Sequence, residues 1–227
     1  MTADEWDACA DAEVVRQFLN GRCSDRKLRL FAIACVRPFW DLLLAPQARG
    51  AIEVTERFAD GLETEATAQF ASQASWGSAS RLGSRRRVHT SAAHAAGYAA
   101  TPNVAHPRVR SGLWDSALAV HSDLVIEAGG SWFRGRENGE RHLLTFVREV
   151  FGNPFRPTDF DPAWRTPDVR MLAEGAYLER AFDRLPILAD ALQEAGCDAA
   201  PLLEHLRDAH APHARGCWAL DLVLEKT

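Results

Sequence analysis

The sequence lacks most of the features that announce a function. It has no CxxC or HExxH pair, no GxxxxGK[ST] loop and no GxGxxG following a strand, so the common metal, phosphate and dinucleotide signatures are absent. No stretch sustains period-two alternation with β-branched residues, which argues against any sheet. No apolar run reaches the roughly 18 uncharged residues of a membrane span; the best, 28–44, is broken by Arg29, Arg37 and Asp41. The first residues are acidic with no apolar stretch behind them, so no secretory signal is expected. The cysteines number only five (Cys9, Cys23, Cys35, Cys197 and Cys217) and are widely scattered. An odd, dispersed set predicts free thiols in a reducing cytoplasm rather than a disulfide framework. No internal repeat of fixed period is evident. Acidic residues are missing altogether from 66 to 114, although the chain as a whole carries a net charge of -5.

What is present is helical. Hydrophobic residues make up 47% of the chain, enough for a core. Ser24 and Asp25 cap a long apolar segment, 26–44, whose apolar residues spread over more than one stripe, so the pattern predicts a central helix buried on most sides. Pro38 lies inside it and predicts a kink or a break. Pro46 opens the next helix, to Ala59. A further helix starts at Thr64 and fades near Trp76–Gly77. Residues 78–84 read as a loop by composition, 88–100 and 113–128 as helices, and the glycine-rich segment 129–135 as a loop before a helix over 140–150. Pro186, Pro201 and Pro212 each open a helix, the last running to Leu224, which suggests helical hairpins.

Residues 151–167 carry Pro154, Pro157, Pro162 and Pro167 with Phe151, Phe155, Phe160 and Trp164. A flexible linker would be rich in glycine and serine. This composition predicts an ordered strap, extended in backbone, with rings pressed onto a helical body. Thr166, Pro167 and Asp168 then form a helix start.

Several of these motifs travel together: 24–31 (SDRKLRLF) with Trp40 and 53–61, then 151–157 (FGNPFRP), 161–164, 179–197 (beginning ERAFDRLP) and 213–222 (beginning HARGCW). In them the chain resembles a paralogous family of proteins, without assigned activity, that is expanded in planctomycete-type bacteria. The resemblance implies a bacterial protein with a variable middle region, about 63–148, and transfers no catalytic residue. Similar proteins tend to carry a second cysteine directly after the position of His205, where this chain has Leu206.

Four groups of residues bear on chemistry. His205, His210, His213 and Cys217 cluster near the C-terminus, and zinc takes nitrogen and sulfur ligands at short spacing. On a helix, His213 and Cys217 at i, i+4 share a face. The same face carries Asp221, but a carboxylate beside the thiol and away from the imidazole does not make a triad. Arg81, Arg85, Arg86, Arg87, Arg108 and Arg110 occupy the stretch without carboxylates, and guanidinium forks match carboxylates and phosphates. Finally, Glu179, Arg180, Asp183, Arg184, Asp190 and Arg215 read as ion pairs that fix helix packing.

Together these features predict an all-α protein, a compact bundle of helical hairpins with an ordered strap, folded as a single domain over 1–227 around residues 26–44. The leading functional expectation is a non-enzymatic interaction module that meets an acidic protein partner through the six arginines. The alternatives are nucleic-acid binding through the same loop, and a zinc site at 205–217.

Overall fold

The computed structural model describes residues 1–82, 87–104 and 106–226, and among them there are helices and no strands. The α-helices are α1 (Ala3–Ala8), α2 (Ala12–Leu19), α3 (Asp25–Val36), α4 (Pro46–Ala59), α5 (Glu65–Leu82), α6 (Arg87–Ala100), α7 (Pro107–Glu127), α8 (Trp132–Phe151), α9 (Pro167–Glu179), α10 (Leu185–Glu194), α11 (Ala200–Arg207) and α12 (Trp218–Leu224). None among the described residues is long and apolar enough to cross a membrane. The expected all-α bundle is what the chain forms. It divides into two compact units, residues 9–146 and residues 1–8 with 147–227.

In the 9–146 unit, Ser24 caps α3 by accepting the Lys27 N–H at 3.3 Å. Every residue from Leu28 to Val36 is buried, which is why its apolar residues spread over the whole circumference. Pro38 does break the helix. The α-helix ends at Val36, and the chain continues as a 3₁₀ turn over Arg37–Leu42 with Phe39 at φ -102° and ψ 24°.

Parts of two segments read as loops are helical instead, while 129–131 do turn and residues 83–84 lie outside the described residues. α5 continues through 78–82, and α8 begins at Trp132 rather than at 140. Small residues in and beside these stretches serve close packing: Ser78 and Ala79 are buried. Ser72 and Ser75 donate their hydroxyls to the Gly97 and Ala93 carbonyls of α6. A Cβ on Gly97 would stand 2.9 Å from the Trp76 ring, and one on Gly135 would stand 2.8 Å from the Ser122 backbone. Glycine and serine weaken a helix by propensity, but here they let helix axes approach.

The other unit has a core of its own, built from Val169, Tyr177, Leu185, Leu188, Leu192, Leu202, Leu206, Leu220 and Val223 with their neighbours. α10 packs on α9 and α11, and α12 packs on α9, so the short-turn helical pairs are realised. Thr166 caps α9 through the Val169 N–H at 3.3 Å. At its other end the Arg215 guanidinium donates to the carbonyls of Tyr177 and Leu178 at 3.2 and 3.0 Å. The strap is ordered. Phe160 and Trp164 pack on the core, and Arg165 donates to the Val223 carbonyl at 2.7 Å. Asn153 reaches the Ala3 carbonyl and Asp7, while Arg156 pairs with Asp4 and Asp7.

Candidate metal centre

The last turn of α8 carries Glu149 among Val147, Val150 and Phe151. Its side chain is only 1% exposed, an uncommon place for a carboxylate. α11 buries Leu202, Leu203 and Leu206 on its core face, which leaves His205 at the edge of that face, half-buried. The chain after α11 does not form the helix expected from Pro212. It turns through 208–217, with Gly216 at φ +84°, and α12 starts only at Trp218. His213 and Cys217 therefore do not meet through helical i, i+4 geometry, and the three-residue face with Asp221 does not exist. The turn brings His213 and Cys217 to Glu149 and His205 by another route.

Those four side chains converge, with one donor atom from each within 4.8 Å of all the others. His205 Nε2 lies 3.2 Å from Cys217 Sγ and 3.3 Å from Glu149 Oε2. His213 Nδ1 lies 3.5 Å from Glu149 Oε1. Around a tetrahedral zinc ion, bonds of about 2.0–2.1 Å to nitrogen or oxygen and about 2.3 Å to sulfur place neighbouring donors about 3.3–3.6 Å apart. The His205 separations from Glu149 Oε2 and Cys217 Sγ are close to those edges, and all four donors lie within 4.8 Å of one another.

Hydrogen bonding sharpens the geometry. The Asp208 carbonyl stands 3.2 Å from His213 Nε2 and can only accept, so Nε2 carries the proton and Nδ1 presents a lone pair. That lone pair faces a carboxylate oxygen which already accepts the Ala214 N–H at 3.2 Å. His213 Nδ1 and Glu149 Oε2 are both buried without a hydrogen-bond partner. Electron-rich atoms buried against one another are costly unless a cation, a proton or a metal, lies between them. A carbonyl holding the far nitrogen of a histidine is also the usual outer support of a metal ligand.

The electrostatics point the same way. Burial pushes the Glu149 carboxyl up, but the facing His205 and His213 rings, when a proton lies between ring and carboxylate, outweigh it and hold the group at about 2. Burial, then the Glu149 charge, raises the Cys217 thiol well above its ordinary value. A bound divalent ion reverses that, since a coordinating thiol is deprotonated outright. One such ion with Cys217 thiolate, Glu149 carboxylate and two neutral imidazoles sums to zero charge, which suits a buried site.

Sequence reasoning named His205, His213 and Cys217, and the structure brings them together. His210 is exposed on the turn, its backbone N–H donated to Asp208, and it lies outside the cluster. Glu149 takes the fourth position. The only sequence signal for it is a lone acid set among valines and phenylalanine. Leu206, where similar proteins tend to have cysteine, is fully buried in the core and is not one of the donors.

A cavity of about 490 Å³ lies beside the cluster, walled by Trp6, Phe151, Trp218 and the strap. Of the four donors only His205 lines it. The arginines lie in the other unit. Arg81 ends α5, Arg87 begins α6 and Arg108 sits in the first turn of α7, all exposed. Arg110 donates to the Asn20 side chain. Arg85 and Arg86 lie outside the described residues. Compared with known proteins, the chain matches no family model, no curated protein and no solved structure.

Proposed function

We propose that residues 147–217 form a metal-binding site, in which one zinc-class divalent cation is held by Glu149 Oε2, His205 Nε2, His213 Nδ1 and Cys217 Sγ. The observation that carries this reading is the convergence of four donors, two of which, Glu149 Oε2 and His213 Nδ1, are buried without a hydrogen-bond partner among the described residues, with His205 Nε2 3.3 Å from Oε2 and 3.2 Å from Cys217 Sγ. Four protein donors, three of them away from the neighbouring cavity, fit a closed structural site better than a catalytic one, which keeps a position for water. The ion would tie the end of α8 to the turn between α11 and α12, far apart in sequence. The test is metal analysis of the purified full chain, followed by cobalt exchange. The reading expects one ion per chain and the intense visible bands of tetrahedral, thiolate-bound Co(II), both lost in Cys217→Ser. A folded chain with no bound metal and no cobalt spectrum overturns it.

A second reading concerns the arginines. Arg81, Arg87 and Arg108 are exposed and make no ion pair among the described residues. The nearby acids Asp123 and Glu127 are engaged by the Ser91 hydroxyl and the Val88 N–H. This free charge supports docking of an acidic protein surface. Arg81→Ala with Arg87→Ala is expected to lose captured partners. Unchanged capture overturns the reading, and a salt-sensitive gel shift with nucleic acid would replace it.

A further inference from the structure

A second polar anomaly lies in the 9–146 unit, independent of the metal site. Arg29, on α3, is 4% exposed. Its Nη1 donates to the Thr101 carbonyl, and its guanidinium carbon sits 4.8 Å from the centre of the Phe58 ring. Among the described residues no carboxylate stands within ion-pair distance. Two half-buried guanidinium groups of the same unit are paired instead: Arg37 with Glu56 at 2.7 Å and Arg26 with Asp60 at 3.2 Å. Buried charges are ordinarily paired in this way, because leaving one alone is costly. Burial lowers the Arg29 pKa to about 10, so the group stays charged at neutral pH.

The open side of Arg29 faces a cavity of about 460 Å³. Its walls include Asp25 and Glu65, the first residues of α3 and α5, together with Phe58 and Asn103. Both acids are exposed, and neither makes an ion pair or side-chain hydrogen bond among the described residues. They are near enough for their charge to act on Arg29, yet too far to pair with it. Arg26, paired with Asp60, also lines the cavity; apart from that pair it holds one guanidinium without an acid and two carboxylates without a base. A bare anion entering it satisfies Arg29 but meets Asp25 and Glu65. A bare cation satisfies the acids but meets Arg29. A small zwitterion satisfies both and bridges a gap that the side chains leave open.

We propose that this cavity binds a free α-amino acid, its carboxylate on Arg29, its ammonium group toward Asp25 and Glu65, and its side chain against the Phe58 ring. Planar, forked recognition of a carboxylate is what guanidinium does best. The ammonium group donates the charge-assisted bonds that the two acids otherwise accept from water. The ligand competes with no internal partner, since Arg26 is already committed to Asp60.

The experiment uses the full chain, titrated by calorimetry and thermal shift with each proteinogenic L-amino acid up to about 10 mM, a range that detects a Kd near ~1 mM. For the best ligand, its amide (no carboxylate) and its deamino acid (no ammonium) are the controls. The expected result is saturable binding of the amino acid, weakened about tenfold or more for both controls. Arg29→Met is expected to abolish binding. Should that variant fail to fold, Glu65→Gln changes an exposed side chain without internal bonds and is expected to weaken binding by about tenfold. Absence of binding by every amino acid overturns the proposal. So does a deamino acid that binds as tightly as its parent, or a Glu65→Gln variant with unchanged affinity.

Discussion

The two units bury histidine pairs in opposite ways. In the 9–146 unit, His121 and His142 stack with ring centres 3.8 Å apart, against Phe39 and, for His142, Phe146. Burial pushes His121 down to about 3, with His142 adding to the effect, and burial pushes His142 down to about 4. These rings behave as aromatic filling and stay neutral. In the other unit, His205 and His213 close on a buried carboxylate and a thiol. The same side chain serves packing where its neighbours are phenylalanines, and, on the proposed reading, ligation where they are Glu149 and Cys217. What distinguishes the two is the presence of a buried acid, not the histidines themselves.

Removing the cation strikes only one side of this comparison and should have the largest effect. A strong chelator is expected to lower the melting point of the C-terminal unit sharply, by a loss on the order of 5 kcal/mol or more, since structural zinc contributes folding energy directly. Calorimetry with and without chelator checks this, and the 9–146 transition should not move. Glu149→Leu separates ligation from packing. It should lose the metal yet destabilise the metal-free chain little, because the buried acid goes with it. Acid strikes the other side. The folded pKa values of His121 and His142 lie below the unfolded value near 6.5, so the unfolded chain binds more protons as pH falls. Their packing is fully stable above about pH 6.5 and weakens as pH falls toward 4, by about 2 kcal/mol for each ring at pH 5. A His121→Phe variant should flatten that slope in denaturant melts. Next in size is Gly135→Ala, which drives a Cβ into the Ser122 backbone. It should cost about 1–3 kcal/mol by overpacking, without changing metal content. Smallest is Glu179→Ala. Its bridge to Arg184 is exposed on both sides, and its removal should change stability by less than about 0.5 kcal/mol.

Much of this was legible in the sequence where a local rule dominates. Pro38 broke its helix, Thr166–Asp168 opened α9, and the apolar circumference of 28–36 announced a buried helix. The two missed helical stretches share one cause. Ser78 and Gly135 carry turn-forming composition, but both are buried, Gly135 against the Ser122 backbone, a tertiary fact that propensity does not contain. The metal cluster was visible as far as its three ligands close in sequence. Glu149 was not, because a single acid on a helix has no spacing to recognise; only its burial marks it. His210 had the right spacing and the wrong direction, a consequence of a turn where a helix had been expected.

The account turns most directly on the atoms around the ion. X-ray absorption at the metal edge of the purified, metal-loaded chain should show a single sulfur at about 2.3 Å and three nitrogen or oxygen neighbours at about 2.0–2.1 Å. Loss of the sulfur shell in Cys217→Ser would complete that result. A folded chain that retains no ion, or one whose ion has no sulfur neighbour, would contradict it.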